Sequence, residues 1–404
     1  MALFILTWRP STAEAMNLRT VLTVTFLGHL LNHSLTLIYP VVMIQLVELF
    51  PGTSLTTLGL LGTGHYLLYG LGAFPAGWLT DRFGARTLLL TYLVGSGFAV
   101  AILVLSTGLV QLAVGLALLG LSCSLYHPAG LTLISHSSPR LSRHLGLHGI
   151  AGSFGLALGP LGGGALAGWL GWQAPYVLFG SLAVLTGIYL WRATDSGRQQ
   201  APAPESQAAR PTRIGPLISV YIIGIFMGLA RQGTLSFLPL HFSQHFSGRL
   251  APVMVGGLLT ALVLASGILG QTLGGLLGDR FDRNRILLFV VALNIPLLYL
   301  MSTLTPYPML GVAILWSVVN FSYQPVANAL VSDYSDPRRR GTLFGVFIGL
   351  SFGVGSLAST LAGTIADRWD TAAIFLVMGL LLLPAALVGL LLYRSRSSVS
   401  IDSR

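Results

Sequence analysis

The chain has 404 residues, of which 53% are hydrophobic and only 8% are charged. This composition is far too apolar for a soluble domain, and the apolar runs are long enough to cross a bilayer. The net charge of +10 comes from arginine alone, in short segments between apolar runs. Nucleic-acid binding needs basic residues clustered on one exposed face, so the pattern argues against a nucleic-acid partner and predicts a multi-pass membrane protein.

Twelve apolar segments approach the roughly 20 residues that a membrane-spanning helix needs. They cover residues 20–43, 55–78, 87–106, 109–134, 146–170, 174–191, 216–238, 253–277, 286–304, 309–331, 342–365 and 371–392. An even number of spans puts both termini on one side, where nearly all of the 22 arginines also lie; the exceptions are Arg249, Arg368 and Arg231. By the positive-inside rule that side is cytoplasmic. We therefore expect a protein of the cell inner membrane with both termini in the cytoplasm.

The two halves of the sequence resemble each other. The charged turn at residues 77–86 recurs at residues 275–285. Tyr126-His127-Pro128 aligns with Tyr323-Gln324-Pro325, and Ile38-Tyr39-Pro40 aligns with Phe237-Leu238-Pro239. Several matches at nearly the same spacing, from 197 to 199 residues, indicate an internal duplication. Parallel repeats are typical of secondary transporters, whose substrate site lies near the bilayer midplane where the two halves meet.

The predicted fold class is an all-α membrane protein with twelve transmembrane helices in two pseudo-symmetric six-helix bundles. A stretch rich in Ala, Pro, Gln, Ser and Arg separates the sixth and seventh segments and predicts a flexible linker. The predicted organisation is an N-terminal cytoplasmic segment 1–15, a bundle 16–192, a cytoplasmic linker 193–213, a bundle 214–393 and a cytoplasmic tail 394–404. We expect a monomer embedded in the lipid bilayer.

The turn after the second segment resembles the loop signature of the major facilitator superfamily, through Gly77, Leu79, Asp81, Arg82, Gly84 and Arg86. The second copy departs from the signature at Asp282, which replaces its second glycine. The fifth segment resembles the antiporter motif of drug/proton exporters in that superfamily, through Gly155, Gly159, Pro160, Gly163 and Gly164. The resemblance implies the superfamily's fold and transport by alternating access.

Within the superfamily, most of residues 16–393 resemble the fosmidomycin-resistance branch of drug/proton antiporters. The resemblance is carried by residues 28–33, 126–128, 353–356 and 366–367. That branch has an aspartate where His33 stands and an acidic residue where Ala129 stands. The resemblance implies efflux, but the carboxylates expected for proton coupling are absent.

The charged turns predict a gate formed by Gly77, Asp81, Arg82, Gly84, Arg86, Asp279 and Arg280. An acid at a helix end can pair with an arginine or a helix N-terminus in one state and release it in another; the alternative is a static anchor. The glycines predict close helix approach. Arg338 to Arg340 are either a topological anchor or partners of Asp333 or Asp336. The glycines of the fifth segment, with a kink at Pro160, form either a generic packing seam or one that seals the cavity.

All twelve acidic residues lie in loops or at helix ends, so histidine is the remaining titratable candidate inside the membrane. The proton-coupling candidates are His33, His65, His127 and His29, and the alternative is that they are neutral packing residues. The histidine pairs His241/His245 and His144/His148 lack a nearby third ligand, and Cys123 is the single cysteine. We therefore expect no metal site and no cofactor.

Arg231 is the only charged residue inside a predicted span. An unpaired charge at this depth costs at least about 2.5 kcal/mol, so the guanidinium should face an aqueous cavity and find an acceptor such as a backbone carbonyl, Asn32 or Gln232. The alternatives are that it snorkels to the membrane surface or that it attracts an anionic substrate through its planar donor fork. The predicted substrate-binding residues are Arg231, Asn32, Gln232, Tyr39, Tyr126, His127, Gln324 and Asn328.

The sequence thus predicts a secondary active transporter that exports a small, anionic organic compound or drug in exchange for protons. An uptake symporter or facilitator for an organic anion is one alternative, and a lysolipid or lipid transporter is another. The sequence contains no arrangement of nucleophile and base and no phosphate-binding loop, so we do not expect an enzyme.

Overall fold

The apolar segments form helices in a computed structural model of the chain, which describes residues 16–138, 141–193, 211–336 and 339–401. In chain order, spans 1 to 12 are Leu18–Leu49, Leu55–Phe83, Ala85–Val104, Leu109–Ser124 with Tyr126–Ser137, Leu141–Leu170, Gln173–Arg192, Ile214–His245, Pro252–Arg280, Arg283–Thr303, Pro306–Tyr334, Arg340–Gly349 with Leu357–Arg368, and Thr371–Leu380 with Leu382–Ile401. Regular secondary structure in the described residues is entirely helical.

Eleven of these spans are long and apolar enough to cross a membrane. Span 2 has the length, with 29 residues, but its glycines and polar residues make it less apolar. The predicted fold class is confirmed. The predicted segment 1–15, residues 194–210 of the predicted linker and residues 402–404 of the predicted tail lie outside the described residues, and the last helix continues to Ile401.

Spans 4, 11 and 12 are each divided into two α-helical segments, and the interruptions of spans 4 and 11 bear on the candidate site. Span 4 breaks at Leu125 because Pro128 has no N–H to donate to the carbonyl of Ser124. Span 11 contains a π-helical turn, Leu350–Val354, between its two α-helical segments. Such turns are frequent at functional sites, and both interruptions lie beside side chains of the candidate site described below.

The two halves repeat the same helix packing. Span 2 packs on span 4 as span 8 packs on span 10, and span 3 packs on spans 4 and 6 as span 9 packs on spans 10 and 12. Span 1 packs on span 5 as span 7 packs on span 11. The duplication in the sequence is therefore also a duplication of packing, which is the parallel-repeat arrangement of secondary transporters.

The halves meet mainly through span 2 against span 11 and span 5 against span 8. We call the membrane face that carries Leu18 the terminal face and the opposite one the far face. Near the far face, Gly164 and Gly257 approach so closely that a Cβ on Gly164 would lie 3.0 Å from the Gly257 Cα. The carboxylate of Asp367 accepts hydrogen bonds from the backbone N–H groups of Leu55 and Thr56, both at 2.8 Å. These contacts close the far face.

Candidate functional site

Four histidines from three spans form one cluster in the N-terminal half. His29 and His33 lie one turn apart on span 1, His127 follows the break in span 4, and His148 lies on span 5. The Nε2 atoms of His29 and His33 are 3.1 Å apart, and the rings of His29 and His148 stack with centroids 4.0 Å apart. The ring of His127 lies edge-on to His29 at 5.0 Å. We call His29, His33, His127 and His148 the histidine cluster.

Hydrogen bonds fix the orientation of His29 within the cluster. Its Nδ1 lies 2.6 Å from the carbonyl oxygen of His148. A carbonyl oxygen only accepts, so Nδ1–H is the donor and the Nε2 of a neutral His29 carries the lone pair. The short Nε2–Nε2 distance then requires His33 to donate to His29. Gly152 leaves room for this ring, because a Cβ at that position would lie 2.6 Å from the His29 Nε2.

Arg231 lies near the middle of span 7 and is partly buried. Its guanidinium carbon lies 4.6 Å from the ring centroid of Phe352, on the π-helical turn of span 11. It is within electrostatic range of His33, Tyr69 and Tyr323. Among the described residues it forms no ion pair. The guanidinium therefore lies between the two halves as a positive charge, with no acidic partner in the part of the chain that the structure describes.

The amides predicted as partners of Arg231 are engaged elsewhere. Asn32 is fully buried, donates to the carbonyl of Cys123 at 2.8 Å and accepts from the hydroxyl of Tyr69 at 3.3 Å. Gln232 donates to the hydroxyl of Ser236 at 3.1 Å. No hydrogen bond joins either amide to the guanidinium in this conformation. The oxygen of Asn32 accepts from Tyr69 instead, and Gln232 is bonded to Ser236 through its Nε2, which is a donor.

The other predicted binding residues are dispersed. The buried hydroxyls of Tyr39 and Tyr126 donate to the carbonyls of Leu58 and Thr25, each at 2.5 Å, and so hold helices together. Gln324 and Asn328 are partly buried and bond to each other on span 10, at 3.0 Å. His127 belongs to the histidine cluster, and the ring of Tyr126 stacks on that of His29 with centroids 5.4 Å apart.

His65 lies apart from the histidine cluster. It is fully buried, and its Nδ1 donates to the carbonyl of Leu116 on span 4 at 2.8 Å. Its Nε2 has no hydrogen-bond partner among the described residues. The predicted coupling histidines therefore fall into a group of three, His29, His33 and His127, and one distant member.

The first charged turn lies at the terminal face. Gly84 ends span 2 with φ of 88°, a left-handed conformation that glycine adopts freely. A Cβ at Gly77 would meet nothing within 4 Å, so the prediction that Gly77 permits close helix approach is wrong. Asp81 is exposed and its carboxylate has no partner among the described residues, whereas Arg82 stacks on Trp78 at 5.5 Å.

The arginines near these turns bind at helix ends. Arg86 Nη2 donates to three carbonyls at the end of span 6, those of Leu190, Trp191 and Ala193, at 2.8 to 3.0 Å. In the second turn, Arg283 pairs with Asp333 on span 10 at 2.7 Å and lies 3.7 Å from the exposed Asp279.

Asp333 is therefore engaged by Arg283, which removes it as the partner predicted for residues 338–340. Arg338 lies outside the described residues. Arg340 donates to the Ser332 carbonyl at 3.3 Å, and Arg280 is exposed.

The glycine motif of span 5 packs against two spans. Added Cβ atoms on Gly155 and Gly159 would meet the backbone of span 1 at Leu30 and Ser34, and Gly163 is in ordinary contact with Val41. The next residues face span 8: the carbonyl of Pro160 and the backbone of Gly164 both lie against Gly257. The motif thus joins span 5 to its own half and to the opposite half.

Sequence reasoning missed His148, Tyr69, Tyr323 and Phe352 at this site. His148 was considered only with its sequence neighbour His144, because the packing of span 5 on span 1 is not visible in the sequence. The aromatic residues look like ordinary core residues in an apolar span. One feature of the sequence could have indicated part of this site: Gly353 and Gly355 in span 11 favour an interruption of the helix beside Phe352.

The sequence model of the Major Facilitator Superfamily matches residues 21–265 and 220–403. The chain is 25% identical over 401 residues to the Fosmidomycin resistance protein of Escherichia coli, with 92% of each chain covered. It is 24% identical over 379 residues to the Multidrug resistance protein MdtG of Escherichia fergusonii, covering 90% of this chain and 92% of that protein.

Solved structures show the same fold. A bacterial homolog of the human lysosomal transporter Spinster, in an inward-facing and occupied conformation, superposes with a TM-score of 0.76 at 17% identity, over 93% of this chain and 96% of that one. A D-xylose-proton symporter superposes with a TM-score of 0.74 at 17% identity, over 92% and 97% of the two chains. The described helices, their repeated packing and the family match agree: the chain is a multi-pass membrane transporter, not an enzyme, and belongs to the Major Facilitator Superfamily.

Proposed function

We propose that this transporter exports a small, anionic organic compound by alternating access and in exchange for protons. The observation that carries the anionic cargo is Arg231, a partly buried guanidinium between the halves with no ion-pair partner among the described residues. A charge removed from water is stabilised by an opposite charge, and the planar fork of arginine matches the oxygens of a carboxylate, phosphate or phosphonate.

The surroundings of Arg231 support an acceptor-rich cargo. The ring of Phe352 covers one face of the guanidinium, so the N–H groups at its edge are free to donate. The buried hydroxyl of Tyr323, within electrostatic range of Arg231, has no hydrogen-bond partner among the described residues. An anion beside both groups would accept from each of them.

Export is supported by the relatives, and coupling to protons by a solved structure of the same fold. Two of them carry the names of a fosmidomycin resistance protein and a multidrug resistance protein, and a structural neighbour is a D-xylose-proton symporter. The proton-carrier candidates remain His33, then His65 and His127, and then His29. The predominance of arginine at the terminal face supports the cytoplasmic placement of both termini.

Alternating access requires residues 16–192 to rock against residues 214–393. The support for this division is that the contacts between the halves are concentrated in spans 2 with 11 and 5 with 8. The predicted gate residues Asp81, Arg82, Asp279 and Arg280 all lie exposed at the terminal face, where they would meet new partners when that face closes.

The test is transport into proteoliposomes of phosphonates, phosphates and carboxylates, with fosmidomycin among them, under an imposed pH gradient. We expect at least one anion to move against its gradient when protons flow the other way. Arg231→Gln should slow its transport about 10-fold or more, the loss of a charge-assisted hydrogen bond, and Arg231→Lys should retain part of the rate.

The control is Arg249→Gln, which removes an exposed arginine from the loop between spans 7 and 8. It should transport like the wild type. Equal anion transport by the wild type and Arg231→Gln would reject the anion site, and anion movement in the same direction as protons would reject exchange in favour of an uptake symporter.

A further inference from the structure

The histidine cluster places three imidazole rings around one point in the membrane. The ligand atoms of His29, His33 and His127 lie within 4.8 Å of one another, and no other group of three such residues occurs within the described ranges. We infer that these three side chains bind one divalent transition-metal ion. This inference does not depend on the anionic cargo or on the direction of transport, but it competes with the proton role proposed above for the same histidines, because a bound ion would occupy the same nitrogen atoms.

The distances suit a small ion with nitrogen ligands. Nitrogen atoms bound to Zn²⁺ lie about 2.0 to 2.1 Å from the metal, which separates two ligands of a tetrahedral site by about 3.3 Å. The Nε2 atoms of His29 and His33 are already 3.1 Å apart. The third ligand comes from His127, whose partly buried ring needs a shift of about 1.5 Å to complete such a site. A fourth position remains for water.

His29 is already oriented as a metal ligand. Its Nδ1–H donates to the carbonyl of His148, so the Nε2 that faces His33 carries the lone pair. Metal-bound histidines almost always donate their other N–H to a carbonyl or carboxylate, which fixes the tautomer and the ring. The ring of His148 stacks on His29 and acts as a positioning group. For a neutral His33 to coordinate through Nε2, its proton must move to Nδ1, and the metal ion then takes the place of that proton between the two Nε2 atoms.

The donor set selects the class of ion. Three neutral imidazoles without a carboxylate suit Zn²⁺, Co²⁺, Ni²⁺ or Cu²⁺, whereas Mg²⁺ and Ca²⁺ prefer oxygen ligands. Arg231 lies within electrostatic range of His33 and opposes the binding of a cation there. Its removal should therefore tighten metal binding, which gives a way to locate the ion.

A cavity of about 310 Å³ lies between spans 1 and 5 beside the cluster. Its walls are Leu22, Thr23, Thr25, Phe26, Leu27, His144, Leu147 and His148, so it borders the cluster at His148.

The experiment is a titration of the purified full chain, without a polyhistidine tag, with Co²⁺. Binding is measured by calorimetry and by visible absorption, because four-coordinate Co²⁺ absorbs far more strongly than the hydrated ion. We expect one ion per chain with a four-coordinate spectrum. His33→Ala and His127→Ala should each weaken binding at least 10-fold, and Arg231→Gln should tighten it about fivefold.

The matched control is His245→Ala, which removes an exposed histidine from another pair spaced four residues apart. It should bind like the wild type. If the wild type does not bind one ion per chain, the inference is overturned, and this measurement requires no variant. Wild-type binding by both His33→Ala and His127→Ala, or weaker binding by Arg231→Gln, places the ion elsewhere and also overturns it.

Discussion

Arg86 belongs to the loop signature, and its contacts show that it stabilises the end of a helix. Its Nη2 donates to three carbonyls at the end of span 6, which lack partners within their own helix. A cation at a helix C-terminus also interacts favourably with the helix dipole. Arg82, four residues earlier, stacks on Trp78 and Phe83 and is exposed. The two arginines therefore contribute differently to stability.

We expect Arg86→Gln to lower the free energy of unfolding by about 1 to 2 kcal/mol, since it removes charge-assisted hydrogen bonds to carbonyls. The measurement is the midpoint of thermal unfolding in detergent. Arg82→Gln is the control and should leave the midpoint unchanged, because exposed cation–π contacts contribute less. Equal midpoints for Arg86→Gln and the wild type would show that the span 6 end is stabilised by other contacts.

The sequence predicted contacts between individual side chains only where both residues lie on the same helix. The spacing of His29 and His33 predicts that the two side chains meet, and their rings do, with centroids 4.9 Å apart. The contacts of His127 and His148 with them depend on how spans 1, 4 and 5 pack. The repeat that matches residues 38–40 with residues 237–239 also matches Asn32 with Arg231, but Asn32 points into its own half toward Cys123. Equivalent positions in a duplicated chain need not meet.

At the scale of the element, spans 2 and 11 form an antiparallel pair with an acid at the end of each. Asp367, in the last turn of span 11, accepts from the backbone N–H groups of Leu55 and Thr56 and from the Thr56 hydroxyl at 2.6 Å. It thus caps the N-terminus of span 2 from the opposite half. Asp81, at the other end of span 2, has no partner among the described residues. In this conformation the hydrogen bonds from span 2 to Asp367 at the far face are formed.

Replacing Asp367 should open the far face. Asp367→Asn removes the charge from bonds that are solvent-exposed, so we expect a loss of about 1 kcal/mol and a shift of about fivefold in the population open at the far face. The measurement is labelling of a cysteine at Gln232, in a Cys123→Ser background, by a membrane-impermeant thiol reagent added from the far face.

Asp370→Asn provides the control, because Asp370 caps span 12 through the N–H of Ala373 within one half. Its loss destabilises that helix end without favouring either face. Equal labelling of Asp367→Asn and the wild type would mean that the cap does not hold the halves together.

Helices were easier to predict than their interruptions. Apolar length sets the spans, and the observed helices extend beyond the predicted ones, as in span 1, which reaches Leu49. Proline alone does not mark the breaks. Pro40, Pro160 and Pro239 lie inside continuous helices, whereas Pro128 accompanies a break. Neighbouring helices decide whether the freed backbone groups find partners, and that information is tertiary.

For the whole molecule, the sequence predicted the duplication but not which face is closed. Repeats specify two similar bundles, whereas the conformation depends on a difference of a few kcal/mol between states. In this conformation, span 5 meets span 8 near the far face, where Gly168 lies against Met254. Transport by alternating access requires this contact to break once in every cycle.

A covalent link at that contact should stop transport. In a Cys123→Ser background, we expect Gly168→Cys with Met254→Cys to form a disulfide under mild oxidation and to lose transport, with recovery after reduction. The control is Gly97→Cys with Val184→Cys, a helix contact of the same kind between spans 3 and 6 of one half. This pair should cross-link without loss of transport, because the half moves as a unit. Full transport by the cross-linked Gly168/Met254 pair would show that the halves do not separate at the far face, and the carrier would then need a different route for its cargo.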